Sequence, residues 1–199
     1  MTSSPAQPET RVDGRAARGE RTRNSIIDAL HALLRQSSDD VSARAVAERA
    51  GVSLRSVFQH FSDMESVYLE LAARQTDVIR PHLTAIDTRL PLPERIERIV
   101  TARDEMFATI SPVRGAVNRH RSARTSPAVR TNLLLLHRAQ REQVLSTFTN
   151  EIGDDERLLL QVDVWLSFET WEQFTSQHGL SRAATRGHLQ SLLQSVLAR

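Results

Sequence analysis

Apolar residues recur along this chain at three- and four-residue intervals, and no stretch alternates apolar and polar positions long enough to make a strand. Ile26, Ile27, Leu30, Leu33 and Leu34 fall at i, i+1, i+4, i+7 and i+8, a single stripe of a 3.6-residue helix, which Ser37-Ser38-Asp39-Asp40 ends. Reading the whole chain this way predicts helices over 19–36, 42–49, 53–59, 63–80, 93–109, 112–120, 127–150, 154–178 and 181–198. Pro81, Pro91 and Pro93 interrupt the pattern, and Ser111-Pro112 and Ser126-Pro127 each read as an N-cap followed by proline at the first helical position. Asp154 opens the long helix 154–178, Gly179 closes it and Ser181 caps the last one. The fold class is all-α, with no internal repeat.

Residues 1–18 are rich in Pro, Ser, Gly, Ala and Arg and nearly devoid of bulky apolar side chains, so they are expected to form a disordered arm. Arg11, Arg15, Arg18, Arg21 and Arg23 lie on this arm and the start of the first helix.

The segment SARAVAERAGVSLRSVFQHF, residues 42–61, holds two short helices with a sharp break between them. Ser42 suits an N-cap, and Val46, Ala47 and Ala50 make a narrow apolar face. Ala47 leaves room for a second helix to cross closely, and Gly51 can take the left-handed conformation that ends the first. Ser53 then caps a helix whose inward residues are Val57, Phe58 and Phe61. That is a helix-turn-helix, and its second helix presents Leu54, Arg55, Ser56, Gln59 and His60. A helix of this kind fits the major groove of DNA, where Arg reads guanine O6 and N7 and Gln reads adenine N6 and N7. A helical hairpin that merely packs is the plainer alternative. The second helix is too short and too polar for a core element, and an Arg-bearing segment precedes it, so DNA binding is the better reading.

The stretch AVAERAGVSLRSVFQHFSDMESVY resembles the DNA-binding signature of the TetR family of bacterial regulators, and RTRNSIIDAL before it resembles the start of that family's first helix. The likeness covers roughly residues 20–70; beyond it the chain is similar only in length and helical pattern. It implies a three-helix DNA-binding head over 19–62 and a six-helix ligand-binding and dimerising body over 63–199. It also implies a homodimeric, ligand-responsive repressor of palindromic operator DNA. Ser53, Leu54, Arg55, Ser56, Phe58, Gln59 and His60 occupy the recognition-helix positions, and Arg44 sits where the family often carries a basic residue. Phe58 stands where tyrosine is usual, and Met64 where a lysine usually meets phosphate, so two phosphate contacts are missing from the pattern.

In the body, Leu189, Leu192, Leu193, Val196 and Leu197 stripe one face of helix 181–198. Leu158, Val162, Val164, Trp165, Leu166, Phe168, Trp171 and Phe174 wrap most of helix 154–178, which must therefore be buried on more than one side. Pairing of these two helices with their copies in an intersubunit four-helix bundle is what the resemblance implies. For a ligand pocket the candidates are Arg103 and His137 as polar groups, with Phe107, Leu134, Trp165 and Phe168 as apolar lining; each apolar one could equally be simple core.

Composition narrows the classes. The chain has 199 residues, 40% hydrophobic, enough for a packed core, and its longest bulky apolar run is only Leu133 to Leu136, far short of a membrane span. The N-terminal sequence has no apolar core of a secretory signal, and there is no cysteine for a disulfide or thiolate site, so the cytoplasm is the expected compartment. Net charge is +2, so any nucleic-acid footprint is local. All 26 basic residues are Arg, which is read as codon usage because the outward helical positions share it. Between residues 106 and 141 lie seven of them, with His120 and His137 and no acid. Solvated surface is the first reading of that segment; an anionic ligand, a carboxylate or acyl thioester, is the sharper one. No paired-histidine metal spacing, phosphate loop, nucleophile elbow or dinucleotide fingerprint occurs, so no cofactor or metal is expected and the chain does not read as an enzyme. The rivals kept open are a TetR-shaped interaction protein that has lost specific DNA binding, a transcriptional activator, and a small all-α enzyme.

Overall fold

The computed structural model describes residues 10–36, 41–119 and 126–198. They are mostly helical, with no strand among the described residues. In chain order the elements are α1 Thr10–Gln36, α2 Ala43–Ala50, α3 Leu54–His60, α4 Met64–Ile79, a 3-10 turn Arg80–Leu83, α5 Leu92–Arg119, α6 Pro127–Thr147, α7 Thr149–Ile152, α8 Glu156–Trp165, α9 Phe168–Glu172, a π-helical turn Gln173–Gln177, and α10 Arg182–Leu197. They divide into two compact units, one comprising Met1–Leu71 with Ala116–Ala128 and the other Ala72–Gly115 with Val129–Arg199. The residues 37–40 expected to stop α1, and His120, Arg121 and Arg124, lie outside the described residues.

The first unit, the head, forms around α1. Ile26, Ile27, Leu30 and Leu34 are fully buried, as their stripe predicts, and Val46, Val57, Phe61, Val67 and Leu71 of the following segments are buried too. α1 starts at Thr10, nine residues before the expected 19, so the second half of the segment read as a disordered arm is helical; residues 1–9 lie outside the described residues. Ala16, Ala17, Arg15, Arg18 and Glu20 all favour helix, and this outweighs the two glycines that lower the pattern's amphipathic signal. Asp63 caps α4 reciprocally with Ser66: the Ser66 amide donates to Asp63 Oδ1 at 2.8 Å and the Asp63 amide to Ser66 Oγ at 3.2 Å.

The second unit, the body, departs from the sequence pattern at three places, each for a local reason. Helices 93–109 and 112–120 were expected to part at Ser111-Pro112, but α5 runs unbroken through them. Pro112 lacks the N–H that would serve the Ala108 carbonyl; the Ser111 hydroxyl donates to that oxygen instead, at 3.4 Å. The expected helix 127–150 ends at Thr147, with Phe148 at the break before α7. The expected helix 154–178 is two helices and a π turn. Ser167 sits between them in extended geometry, its Oγ accepting from the Thr170 amide at 3.2 Å and donating to the Val164 carbonyl at 2.7 Å.

That break explains an apolar pattern that wraps the helix. Leu158, Leu159, Val162 and Leu166 enter a core with Ile96, Ile99, Val100, Val144, Phe148 and the α10 stripe Leu189, Leu193 and Leu197. Beyond Ser167 the chain turns, and Phe168 and Trp171 enter a second core with Ile79, Met106, Phe107 and Ile110. Three aromatic rings meet there, with Phe107 and Phe168 edge to face at 5.6 Å between centroids. Trp171 Nε1 donates to Asp104 Oδ1 at 2.9 Å, and the buried Asp104 also accepts from Arg182 and Arg186 of α10. No helix among the described residues is long and apolar enough to cross a membrane.

Candidate functional site

The helix-turn-helix is built by three caps within twelve residues. Ser42 accepts from the Ala45 amide, and Ser53 accepts from the Ser56 amide at 3.0 Å. Between them Gly51 has φ 68 and ψ 29, its N–H donating to the Glu48 carbonyl at 3.2 Å while the Val52 N–H reaches back to Ala47 at 3.0 Å. This paired closure is a Schellman ending, and it turns the chain sharply into α3.

On α3, Val57 is fully buried and Phe61, just past the helix, is 3% exposed; both anchor it to the head. Phe58, expected inward, is instead 49% exposed, because Val57 and Phe61 already fill the contact with α1. Leu54, Arg55, Phe58 and Gln59 are all exposed, at i, i+1, i+4 and i+5, and so share one outward face. Ser53 is exposed at the cap, Ser56 is half-buried with its Oγ receiving the Ser53 hydroxyl at 3.2 Å, and Arg44 is exposed in a surface pair with Glu48. His60 is half-buried at the edge of this face, where a side-chain carbon added at Gly19 of α1 would lie 3.7 Å from its Cε1. The structure therefore brings Arg55 and Gln59 together outward and leaves His60 against α1.

Sequence reasoning missed the residue that holds this helix in place. Arg23 of α1 donates from Nη1 to the His60 carbonyl at 2.8 Å and from Nη2 to Glu70 Oε2 at 2.9 Å, and its guanidinium lies 4.3 Å from the Phe61 ring centroid. One cation thus satisfies the last carbonyl of α3, pairs with Glu70 of α4 and stacks on the buried Phe61 ring. Its three partners lie more than 36 residues away in sequence, so no local pattern reports them.

The body contains a partly open cavity of about 120 Å³. Arg103, Phe107, Ile110 and Arg114 line it from one face of α5, at i, i+4, i+7 and i+11, and Leu136, His137, Gln140 and Val144 from α6. Of the six pocket candidates, Arg103, Phe107, His137 and Phe168 reach it. Leu134 and Trp165 do not: Leu134 is 70% exposed, and Trp165 packs half-buried against the other core. The shift of one residue between Leu134 and Leu133 is a rotation of 100° about α6, finer than a stripe of four consecutive leucines can report. Asp163, Leu166, Ser167 and Glu169 complete the wall.

Arg103 is fully buried, and burial lowers its pKa to about 10 although the nearby Asp163 carboxylate opposes the fall. It remains a cation at neutral pH. Its Nη1 donates to Gln143 Oε1 at 2.6 Å and Nη2 to the Gln140 carbonyl at 3.0 Å, and Gln143 in turn donates to the carbonyls of His82 and Thr84. Arg141 donates to Asp163, and Arg114 pairs with Glu169 at 2.8 Å while lying over the Phe168 ring.

A short helix held by two caps against a long first helix, with arginine and glutamine outward, defines a helix-turn-helix DNA-binding head. Residues 26–71, which make up most of this head, match the profile of the bacterial regulatory proteins of the tetR family. An uncharacterised helix-turn-helix transcriptional regulator of Haemophilus influenzae is 39% identical over 59 residues, 29% of this chain and 29% of that protein. The chain thus spans under a third of that curated relative. Three solved structures share the fold across both units: a TetR-family transcriptional regulator from Streptomyces coelicolor (TM-score 0.71, 24% identity, 90% of this chain and 81% of that one), a transcriptional regulator from Rhodococcus (0.59, 18%, 90% and 96%) and a TetR-family regulator from Mesorhizobium loti (0.58, 20%, 91% and 97%).

Proposed function

We propose that this chain is a ligand-responsive transcriptional repressor of the cytoplasm that binds palindromic operator DNA as a homodimer. The observation that carries the reading is the outward face of α3, where Arg55 and Gln59 stand exposed on a helix whose backbone is capped at both ends. Arginine and glutamine are the side chains that pair bidentately with guanine and adenine in the major groove, each good pair giving roughly 1–3 kcal/mol of discrimination. Leu54 and Phe58 beside them offer apolar contact for thymine methyl groups.

Two features support a dimer. Leu160 and Val164 on α8 are 59% and 51% exposed at i and i+4, an apolar pair that a second copy would cover. Two-fold pairing also matches two half-sites one turn of DNA apart. The effector reading rests on the body cavity and on α4. Ile79 near the end of α4 packs in the same cluster as Phe107 and Phe168, which line the cavity, while Glu70 near its middle is held by Arg23 in the head. A ligand between α5 and α6 that moves Phe107 or Phe168 moves the end of this helix. It acts as an inducer if it binds the DNA-incompetent state better; moving an equilibrium from 1:99 to 99:1 takes roughly 5.5 kcal/mol of such preference.

Selection of bound sequences from randomised duplexes, with sedimentation of the free protein, tests this. A palindromic consensus and a dimer are expected. A monomer, or no enriched sequence, would favour the second reading, an interaction protein in which the exposed Phe58 and Leu54 of α3 meet a protein partner.

A further inference from the structure

The α5 wall of the cavity carries two arginines that are not equivalent. Both have a buried Nε–H with no acceptor among the described residues, but Arg114 has a carboxylate partner, Glu169, and the cavity's other acid, Asp163, is taken by Arg141. Arg103 has no carboxylate hydrogen bond: its acceptors are a neutral amide oxygen and a backbone carbonyl, and its Nε–H is buried with no acceptor among the described residues. A buried cation left this way is costly, and an ionised group entering beside it would recover a charge-assisted hydrogen bond in a low-dielectric site. Around it the lining is apolar: Phe107, Ile110, Leu133, Leu136, Val144 and Phe168.

Size limits the occupant. At about 120 Å³ the inner cavity is close in size to one of about 150 Å³ that holds benzene, which suits a single small ring or a short acyl chain. Asp163 does not repel an anion fully, because Arg141 neutralises it.

Resting on the effector reading above, we infer that the inducer is a small monocarboxylate with an aromatic ring or short aliphatic chain, its carboxylate on Arg103 and its apolar part between Phe107, Phe168 and Leu136. Arg103 then has two roles. Without ligand it holds α5 to α6 through Gln143 and the Gln140 carbonyl. With ligand its Nε–H turns from an unmet donor into the anchor of the acid.

The test is calorimetric titration of the full-length protein with benzoate and hexanoate against benzamide and hexanamide, which match them in shape and lack the charge, repeated on Arg103→Gln. At least one acid should bind about tenfold or more tighter than its amide, and Arg103→Gln should abolish that preference. The acid–amide comparison on unaltered protein stands even if Arg103→Gln does not fold. Amides binding as well as acids, a folded Arg103→Gln that keeps the preference, or no binding by any of the four at millimolar concentration would overturn the assignment. The effector reading fails separately: it falls only if operator affinity is indifferent to every small molecule that binds the body.

Discussion

Arg23 Nη1 donates to the carbonyl oxygen of His60 at 2.8 Å, joining the first helix of the head to the last turn of α3. The same guanidinium reaches Glu70 on α4 at 2.9 Å. The orientation of α3 therefore depends on a residue that does not lie on its outward face. Arg23→Met should lower operator affinity by about tenfold or more and destabilise the head by roughly 1–2 kcal/mol, the half-exposed pair with Glu70 adding little. Chemical denaturation and DNA titration of the same variant check both.

Gly51 has φ 68, and a side-chain carbon added there would meet nothing within 4 Å. The cost of Gly51→Ala is thus backbone conformation alone, about 1–2 kcal/mol. A urea midpoint lowered accordingly, with the slope unchanged, is the expected outcome.

Acid should loosen the body through two carboxylates. Burial pushes the Asp104 carboxyl up, but hydrogen bonds from Arg182, Trp171 and Arg186 outweigh it and hold the group below its usual value. The hydrogen bond from Arg95 does the same for Glu151, against burial. Both folded values lie below the unfolded ones, so the unfolded chain binds more protons as pH falls. The stability they contribute is complete above the unfolded values, near pH 4, and is lost as pH drops through the folded ones. Thermal melts should fall steeply below about pH 4, and Asp104→Asn should flatten that fall while lowering neutral-pH stability.

Met64 opens α4 half-buried, where the TetR resemblance implies a lysine. Met64→Lys adds a cation at a helix start that the resemblance places near phosphate. Operator affinity should rise, and the slope of log K against log salt should steepen by about 0.9. An unchanged slope would mean that this position does not approach the backbone.

The head was legible in the sequence because its determinants are local. Ser42, Gly51 and Ser53 act on residues within five positions of themselves, so caps and turn could be read off one short segment. Phe58 was not, because whether it or Val57 and Phe61 faces inward depends on α1. In the body the breaks were obscured in opposite directions. Pro112 looked like a stop, yet Ser111 serves the stranded carbonyl and the helix continues. Ser167 looked like one more helical residue, yet its hydroxyl caps a new helix three residues before Thr170, a spacing that could have been recognised. The cavity was half legible. Arg103, Phe107, Ile110 and Arg114 follow a helical period, whereas the partners that make Arg103 unusual, Gln140 and Gln143, lie 37 and 40 positions away.

The central claim is that α3 reads base sequence. Fluorescence anisotropy over a salt series, on duplex DNA from upstream of the chain's own gene and from a site selection, compared with scrambled DNA, tests it most directly. Unaltered protein should bind the specific duplex at least about a thousandfold tighter than scrambled DNA, with affinity falling steeply with salt, and Arg55→Ala should cost about 1–3 kcal/mol on the specific duplex alone. Equal, weak binding to both duplexes, indifferent to Arg55→Ala in a folded variant, would contradict it.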